Sequence, residues 1–250
     1  MNAVYNIAIQ LKNMILSFSL NLMRALSPQI TKTYASGEME IHRKLVYKGS
    51  KLEVFLIYFL IIPFLFRTEY IIKFWLGDVP EHLIFLARWI VFVSLVVSAM
   101  EPIKTAVLAS NRIIQYLIIP DSLFLLVLPV SYFVGYSFEK PEWMLIVIIS
   151  LDIVCCFLRI YIGIKVTLLD LVEYLKQVVM PCIYVALPSF ICCYLLSIYF
   201  KENIIGMIAL FFCNAILLSP FIYLLGLNIG ERKVVRQMLH RIFYIYFNNK

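Results

Sequence analysis

The sequence predicts an all-α membrane protein, a polytopic bundle of about seven transmembrane helices. Of its 250 residues, 63% are hydrophobic, against about 45–50% in an ordinary soluble domain, and the mean hydropathy is +0.91. Only 15% are charged, against a usual share of about 25%. A chain of this size cannot hide so much apolar surface in one core, which excludes a soluble globular enzyme. The apolar runs are long and continuous, which argues against a transmembrane β-barrel.

Seven apolar segments have about the length that crosses the roughly 30 Å hydrocarbon core of a bilayer. Several contain proline, which membrane helices tolerate because neighbouring groups satisfy the freed carbonyls. Long polar connections are predicted only at 27–50, 67–82, 165–177 and 227–250. The predicted spans, numbered first to seventh, are 3–26, 51–66, 83–110, 113–135, 142–164, 178–200 and 204–226.

The lysines and arginines are unevenly divided between the two alternating sets of connections. Fifteen of them lie in one set: 24–51, Arg112, 159–176 and 227–250. Four lie in the other set: 67–82, 136–141 and 201–203. Because cytoplasmic loops of membrane proteins are enriched in these residues, the C-terminus is predicted to be cytoplasmic and residue 1 to lie outside. The net charge of +7 therefore indicates topology, and no nucleic-acid partner is expected.

An N-terminus that starts outside, directly at a membrane helix and without a charged leader, leads us to expect a longer protein. The chain would be the C-terminal part of a transporter, from a fragment or a split reading frame. The alternative is a genuine seven-helix protein with its N-terminus outside.

Polar residues recur along one face of the first span. Because they are spaced three or four residues apart, they fall in a stripe roughly 100° wide on a helix. Such a stripe is predicted to line water or a polar substrate path, and the alternative is hydrogen bonding between helices. Beginning at Asn2, the stripe continues through Asn6, Gln10, Asn13, Ser17, Asn21 and Arg24.

The third span carries a second polar pattern that includes Ser98, Glu101 and Lys104. Glu101 and Lys104 are three residues apart and can pair within one helix, and Pro102 is expected to kink the helix between them. A charged pair at a kink suggests part of a substrate or coupling-ion site, and the alternative is a neutralised structural pair. Arg88 lies on another face, where it would reach lipid phosphates or the cavity.

Few other residues suggest chemistry. Asp152, inside the fifth span, is either a possible ion-coupling group together with Glu101 or a structural carboxylate. The six cysteines lie in apolar segments with no metal-binding spacing, and the three histidines lie in predicted loops. No catalytic residue, metal or cofactor is therefore expected.

Three loop segments resemble those of Wzx-type lipid-linked oligosaccharide flippases, which belong to the MOP superfamily of MATE-like transporters. Residues 26–38 (LSPQITKTYASGE) resemble the loop after the second helix of the C-terminal lobe, and 74–81 (FWLGDVPE) resemble the outer loop that follows. Residues 109–116 (ASNRIIQY) resemble the "A-T-G-K-I-K-x-Y" turn, with Asn111 where glycine is commoner. The resemblance covers about 2–165 well and 170–250 only by hydropathy.

The resemblance implies two six-helix lobes around a central cavity, of which this chain lacks the first lobe and the opening helix of the second. It implies three units: a partial C-terminal lobe at 1–165, an extra transmembrane pair at 166–226, and a tail at 227–250. The tail's own pattern is basic and amphipathic, typical of a helix on anionic lipid. Cavity cations would meet the pyrophosphate of the lipid-linked substrate; the candidates are Arg24, Arg88 and Lys104.

These features favour a transporter, with no enzyme activity expected. It would translocate undecaprenyl-pyrophosphate-linked oligosaccharide across the bacterial inner membrane for O-antigen or capsular polysaccharide synthesis, with membrane lipids and the missing N-terminal lobe as partners. The alternatives are a multidrug or cation antiporter of the same superfamily, a membrane-embedded oligosaccharide polymerase or transferase, and a scaffold that transports nothing.

Overall fold

The computed structural model describes the backbone of residues 2–138 and 142–248. Side chains are described for these residues except 2–3, 138, 142, 145, 238–239 and 242–248. This part of the chain contains α-helices and two short π-helical segments, at Leu175–Val179 and Ile222–Gly226, and no β-strand. The α-helices are α1 (Asn2–Ala35), α2 (Met39–Phe66), α3 (Thr68–Leu76), α4 (Leu83–Ala109), α5 (Ile113–Phe124), α6 (Val127–Phe138), α7 (Glu142–Val166), α8 (Leu171–Tyr174), α9 (Met180–Tyr199), α10 (Ile204–Phe221) and α11 (Ile229–Asn248).

The predicted fold class, an all-α polytopic membrane bundle, is confirmed. Within the described residues, six helical stretches are long and apolar enough to cross a membrane. They correspond to the second through seventh predicted spans. The first span, α1, is 34 residues long, but it carries the polar stripe and is not among the six. The chain is therefore a multi-pass membrane protein with one unusually polar long helix.

The predicted loop at 27–50 is wrong, because most of it is helical. Helix α1 continues to Ala35 and α2 already begins at Met39, so that only a short turn at Gly37, with φ +74°, separates them. His42, predicted in a loop, is fully buried in α2, and its Nδ1 lies 3.0 Å from the carbonyl oxygen of Ile30. The two helices extend because apolar side chains scattered among the charges, such as Val46, pack between them.

The fourth predicted span is divided into α5 and α6. Pro129 has no N–H to donate to the carbonyl of Leu125, and its ring would clash with that carbonyl in a regular helix. The chain turns at this point, and the Leu125 oxygen accepts instead from the N–H of Leu128 at 3.2 Å. The two-residue break between α5 and α6 thus has a local cause, although 113–137 still has the length and apolarity of one membrane span.

Contacts between distant residues place the two sets of connections at opposite ends of the bundle. Near the start of α2, the Tyr47 hydroxyl donates to the carbonyl oxygen of Asp170 at 3.3 Å. Where α2 ends, Arg67 reaches the α9–α10 connection and lies 2.6 Å from Glu202. The cation-rich and cation-poor connections predicted from the sequence are therefore separated by the length of α2.

Helix α2 lies at the centre of the bundle. Its residues Phe55 and Tyr58 share one apolar core with Val185 of α9 and Leu218 of α10. The Tyr58 hydroxyl also donates to the carbonyl oxygen of Cys182, at 3.2 Å. The predicted extra pair at 166–226 therefore packs directly on the lobe predicted for 1–165, because both sides bury apolar surface against the same helix.

A buried ion pair holds the predicted tail against α2. Lys51 is 2% exposed, and its Nζ lies 2.6 Å from Oε2 of Glu231, near the start of α11. The same carboxylate oxygen accepts from the backbone N–H of Asn228 at 2.8 Å. Residues 249–250 and the side chains from 242 onward lie outside the described part of the tail.

Replacing Lys51 by methionine should release α11 from the bundle. A hydrogen bond to a charged group contributes about 1.5–3 kcal/mol, so its loss should raise the detached population of α11 roughly tenfold to a hundredfold. Limited trypsin digestion at Lys233 and Arg236, followed by mass spectrometry, measures this population. Lys48→Met, at an exposed neighbouring lysine, is the matched control, and equal cleavage rates in both variants would contradict the role of the pair.

Candidate functional site

The polar stripe of α1 lies on the exposed face of the helix. The opposite face is apolar and buried: Ala8, Leu11 and Ile15 pack in a core with Ile57 of α2 and Leu86 of α4. Because α1 has neighbours on that side only, the stripe faces away from the rest of the chain. The side chain of Asn2 lies outside the described residues, and the remaining stripe residues are all exposed: Asn6, Gln10, Asn13, Ser17, Asn21 and Arg24.

Most of the stripe's hydrogen-bonding capacity is free. The side chains of Asn6, Gln10 and Asn13 have no hydrogen-bond partner within the described part of the chain. Arg24 donates to the amide oxygen of Asn21 at 3.3 Å, and Ser17 donates to the carbonyl of Met14 in its own helix. The alternative prediction, hydrogen bonding to other helices of this chain, therefore has no support from these contacts. Three amides remain available to water or a polar ligand.

A second polar feature is a cleft of about 220 Å³ between α1, α4, α5 and α7. Charges of both signs line it, all of them half-buried except the exposed Lys104, and the ring of Tyr116 forms part of its wall. The charged residues are Lys12 from α1, Glu101 and Lys104 from α4, and Asp152 and Arg159 from α7.

Each charge in this cleft has a partner of opposite sign. Lys104 Nζ lies 3.2 Å from Oε1 of Glu101, which confirms the predicted pair within α4. Lys12 Nζ lies 3.7 Å from the Asp152 carboxylate and joins α1 to α7. Arg159 pairs with Asp121 of α5. The charges of the cleft therefore neutralise one another. Two of the ion pairs also connect α7 to its neighbours α1 and α5.

The stripe and the cleft are separate surfaces. The sequence analysis predicted one cavity lined by both α1 and α4, but the only α1 residue lining the described cleft is Lys12. Lys12 lies about 130° around the helix from the centre of the stripe, since each residue advances 100°. Glu101 and Asp152 therefore lie in the cleft between the helices, with the more exposed Lys104 at its edge, whereas the stripe faces outward.

Ser98 does not line a cavity, contrary to the prediction. Its side chain is fully buried and its hydroxyl donates to the carbonyl of Leu95 at 2.8 Å. A serine on α4 serves here as a small packing residue whose hydroxyl is satisfied within its own helix.

Arg88 is exposed near the start of α4, away from both polar surfaces. It lines a shallow apolar groove with Trp89, Phe92 and Leu65, and it has no ion-pair partner in the described structure. Its position on a face apart from Glu101 agrees with the sequence analysis.

Sequence reasoning missed Glu53. Its side chain is fully buried in α2, the Ser19 hydroxyl of α1 lies beside its carboxylate, and it has no ion-pair partner in the described part of the chain. Ser50 is also buried and lies three residues away on the same face of α2. The available signal was simple: Glu53 is the only acid between residues 52 and 66 of an apolar span. An ionisable group in such a setting is costly and is a functional candidate by default.

The residues described contain no group of three or more His, Cys, Asp or Glu placed to hold a metal ion. The six cysteines are free thiols, four of them buried.

Comparison with known proteins adds no family assignment: no protein-family model, curated protein or solved structure matches the chain.

Proposed function

We propose that the chain forms the C-terminal part of a flippase that moves undecaprenyl-pyrophosphate-linked oligosaccharide across the bacterial inner membrane, for O-antigen or capsular polysaccharide synthesis. The single observation that supports this most is the exposed polar face of α1 in an otherwise apolar protein. Amide side chains without hydrogen-bond partners are energetically costly in the hydrocarbon core of a bilayer. This face of α1 therefore requires water or a polar surface beside it. In the proposal, an N-terminal lobe completes the cavity and the cation-rich end lies in the cytoplasm.

The stripe has the chemistry to hold a glycan. Amide side chains both donate and accept hydrogen bonds, which matches the hydroxyl groups of sugars. Arg24 ends the stripe at the cation-rich end, where its guanidinium would neutralise pyrophosphate entering from the cytoplasm. Arg88 lies near the other end of the bundle, where it would act on the same group at release. Lys104 is a weaker candidate for this role than the sequence suggested, because Glu101 already neutralises it.

Ion coupling is the second part of the proposal. Glu101 and Asp152 each have a cationic partner, whereas Glu53 has none. Protonation or cation binding at a carboxylate costs less free energy when no existing ion pair has to be broken. Glu53 is therefore a better candidate for ion coupling than Glu101 or Asp152. This unpaired acid also favours the alternative function, a cation antiporter of the same superfamily, which would use interior acids in place of amides.

Replacing Asn13 and Asn21 together by leucine should abolish most oligosaccharide transport in a complete flippase. The two substitutions remove two amides that lie about two helical turns apart on the stripe, without changing the buried face of α1. Transport is measured by restoring surface polysaccharide in a strain lacking its own flippase, with this chain expressed alone and together with a donor N-terminal lobe.

The matched control replaces two exposed serines on other helices, Ser150 and Ser219, by leucine. This control adds the same apolar groups but leaves the stripe intact. Wild-type transport by Asn13→Leu/Asn21→Leu in an otherwise active protein would contradict the cavity assignment. Loss of transport of a lipophilic cation, with polysaccharide export unchanged, would favour the antiporter.

A further inference from the structure

A groove of about 480 Å³ lies between α5 and α7 at the cation-rich end of the bundle. Because the two helices are antiparallel, Arg112 just before α5 and Lys165 at the end of α7 reach the same mouth of the groove. Gln115 adds an amide beside them. Farther along, the lining becomes apolar, with Ile119 and Ile162. The groove thus has a basic mouth and an apolar body.

The charge at this mouth is uncompensated. Neither Arg112 nor Lys165 has an acidic partner within the described part of the chain. The nearest acid along α5, Asp121, is already paired with Arg159. No side chain caps the start of α5, so its first backbone N–H groups add a partial positive charge at the same end. The side chains of Arg112 and Lys165 and the positive end of the α5 dipole therefore converge on the mouth of the groove. No acidic side chain of the described residues neutralises them there.

The groove is open towards the lipid. Ile114 and Ile118, on the outer side of α5, are 72% and 57% exposed, and Tyr161 of α7 is 53% exposed. A molecule can therefore enter sideways from the bilayer, and its tail can lie against the isoleucines while its head stays at the membrane surface.

We propose that this groove is a binding site for one anionic phospholipid of the surrounding membrane. Its phosphate is held between Arg112 and Lys165, with Gln115 as a hydrogen-bond donor, and an acyl chain lies along Ile119 and Ile162. Basic pockets between transmembrane helices on the cytoplasmic side are suited to anionic headgroups. The inference depends on membrane insertion alone and is independent of the transported substrate.

The test compares the wild-type full chain with Arg112→Gln/Lys165→Gln by native mass spectrometry in detergent, titrated with phosphatidylglycerol. Each cation near a headgroup contributes about 1 kcal/mol, so the double variant should bind the first phosphatidylglycerol roughly tenfold to thirtyfold more weakly. Lys32→Gln/Lys176→Gln, which removes two exposed cations from the same end but outside the groove, should retain affinity within about twofold.

Three results would overturn the proposal. Equal phosphatidylglycerol affinity in the wild type and the groove variant would place the lipid elsewhere. If the wild type bound phosphatidylcholine as tightly as phosphatidylglycerol, the groove would recognise only the apolar part of the lipid and not its charge. Displacement of the lipid by millimolar inorganic phosphate would identify a site for a free anion. Selective, charge-dependent loss of the first bound phosphatidylglycerol supports the site, whether or not the chain transports oligosaccharide.

Discussion

Replacing Arg67 by methionine is expected to lower the free energy of unfolding by about 3 kcal/mol. Arg67 ends α2 with only 7% of its side chain exposed. Its guanidinium lies 2.6 Å from Glu202 and donates to the carbonyl oxygens of Ser197 and Phe200. Methionine fills similar space but leaves these carbonyls, at the C-terminal end of α9, without their donor. A cation at a helix C-terminus also interacts favourably with the helix dipole, and this contribution is lost as well.

Unfolding in mixed detergent and sodium dodecyl sulfate micelles, followed by helical circular dichroism, measures the effect. Arg88→Met is the matched control, because Arg88 lies near the same end of the bundle but is exposed and unpaired; its stability should change by less than about 0.5 kcal/mol. Arg67→Lys should recover part of the loss, since an ammonium group cannot reproduce the guanidinium's fork of donors. Equal stabilities for Arg67→Met and Arg88→Met would show that the contacts of Arg67 contribute nothing.

Under the proposed function, replacing Glu53 by glutamine should nearly abolish oligosaccharide export while the bundle stays folded. Glutamine has the shape of glutamic acid, and its amide can hydrogen-bond to the neighbouring Ser19 hydroxyl, but it cannot exchange a proton or bind a cation as a carboxylate. An isolated buried charge is costly, so the folded state should be as stable with glutamine as with the acid, or more stable.

The measurement combines polysaccharide export with the unfolding assay on the same variant. Glu69→Gln, at an exposed acid of α3 without an ion pair, is the control and should leave both unchanged. Loss of export with intact stability supports the coupling role. Wild-type export by Glu53→Gln, with an unaltered response to pH and sodium, would show that Glu53 is a structural acid only.

Composition and periodicity predicted the approximate place of six membrane helices, because each apolar run must cover the bilayer's hydrocarbon core, but the first of the seven predicted spans, α1, is too polar to be counted with them in the described structure. They did not predict helix ends. Val46 and Ile30 lie among charges in sequence, and only their packing against one another shows why α1 and α2 continue through the predicted loop. The sequence could have predicted a break between α5 and α6, because Pro129 cannot donate a backbone hydrogen bond. The exact position of the turn could not be predicted, because it depends on which backbone N–H donates to the Leu125 carbonyl instead.

The sequence by itself determined the features that belong to one helix: the polar stripe of α1, the Glu101–Lys104 pair of α4 and the separation of cation-rich from cation-poor connections. A helical period places such residues on one face before any packing occurs. Only the tertiary structure decided that the stripe and the charged cleft are separate surfaces, that Lys12 meets Asp152, that Ser98 is buried and that Glu53 has no ion-pair partner among the described residues. These facts depend on which helices lie side by side, and helix packing is set by the shapes of many apolar side chains together.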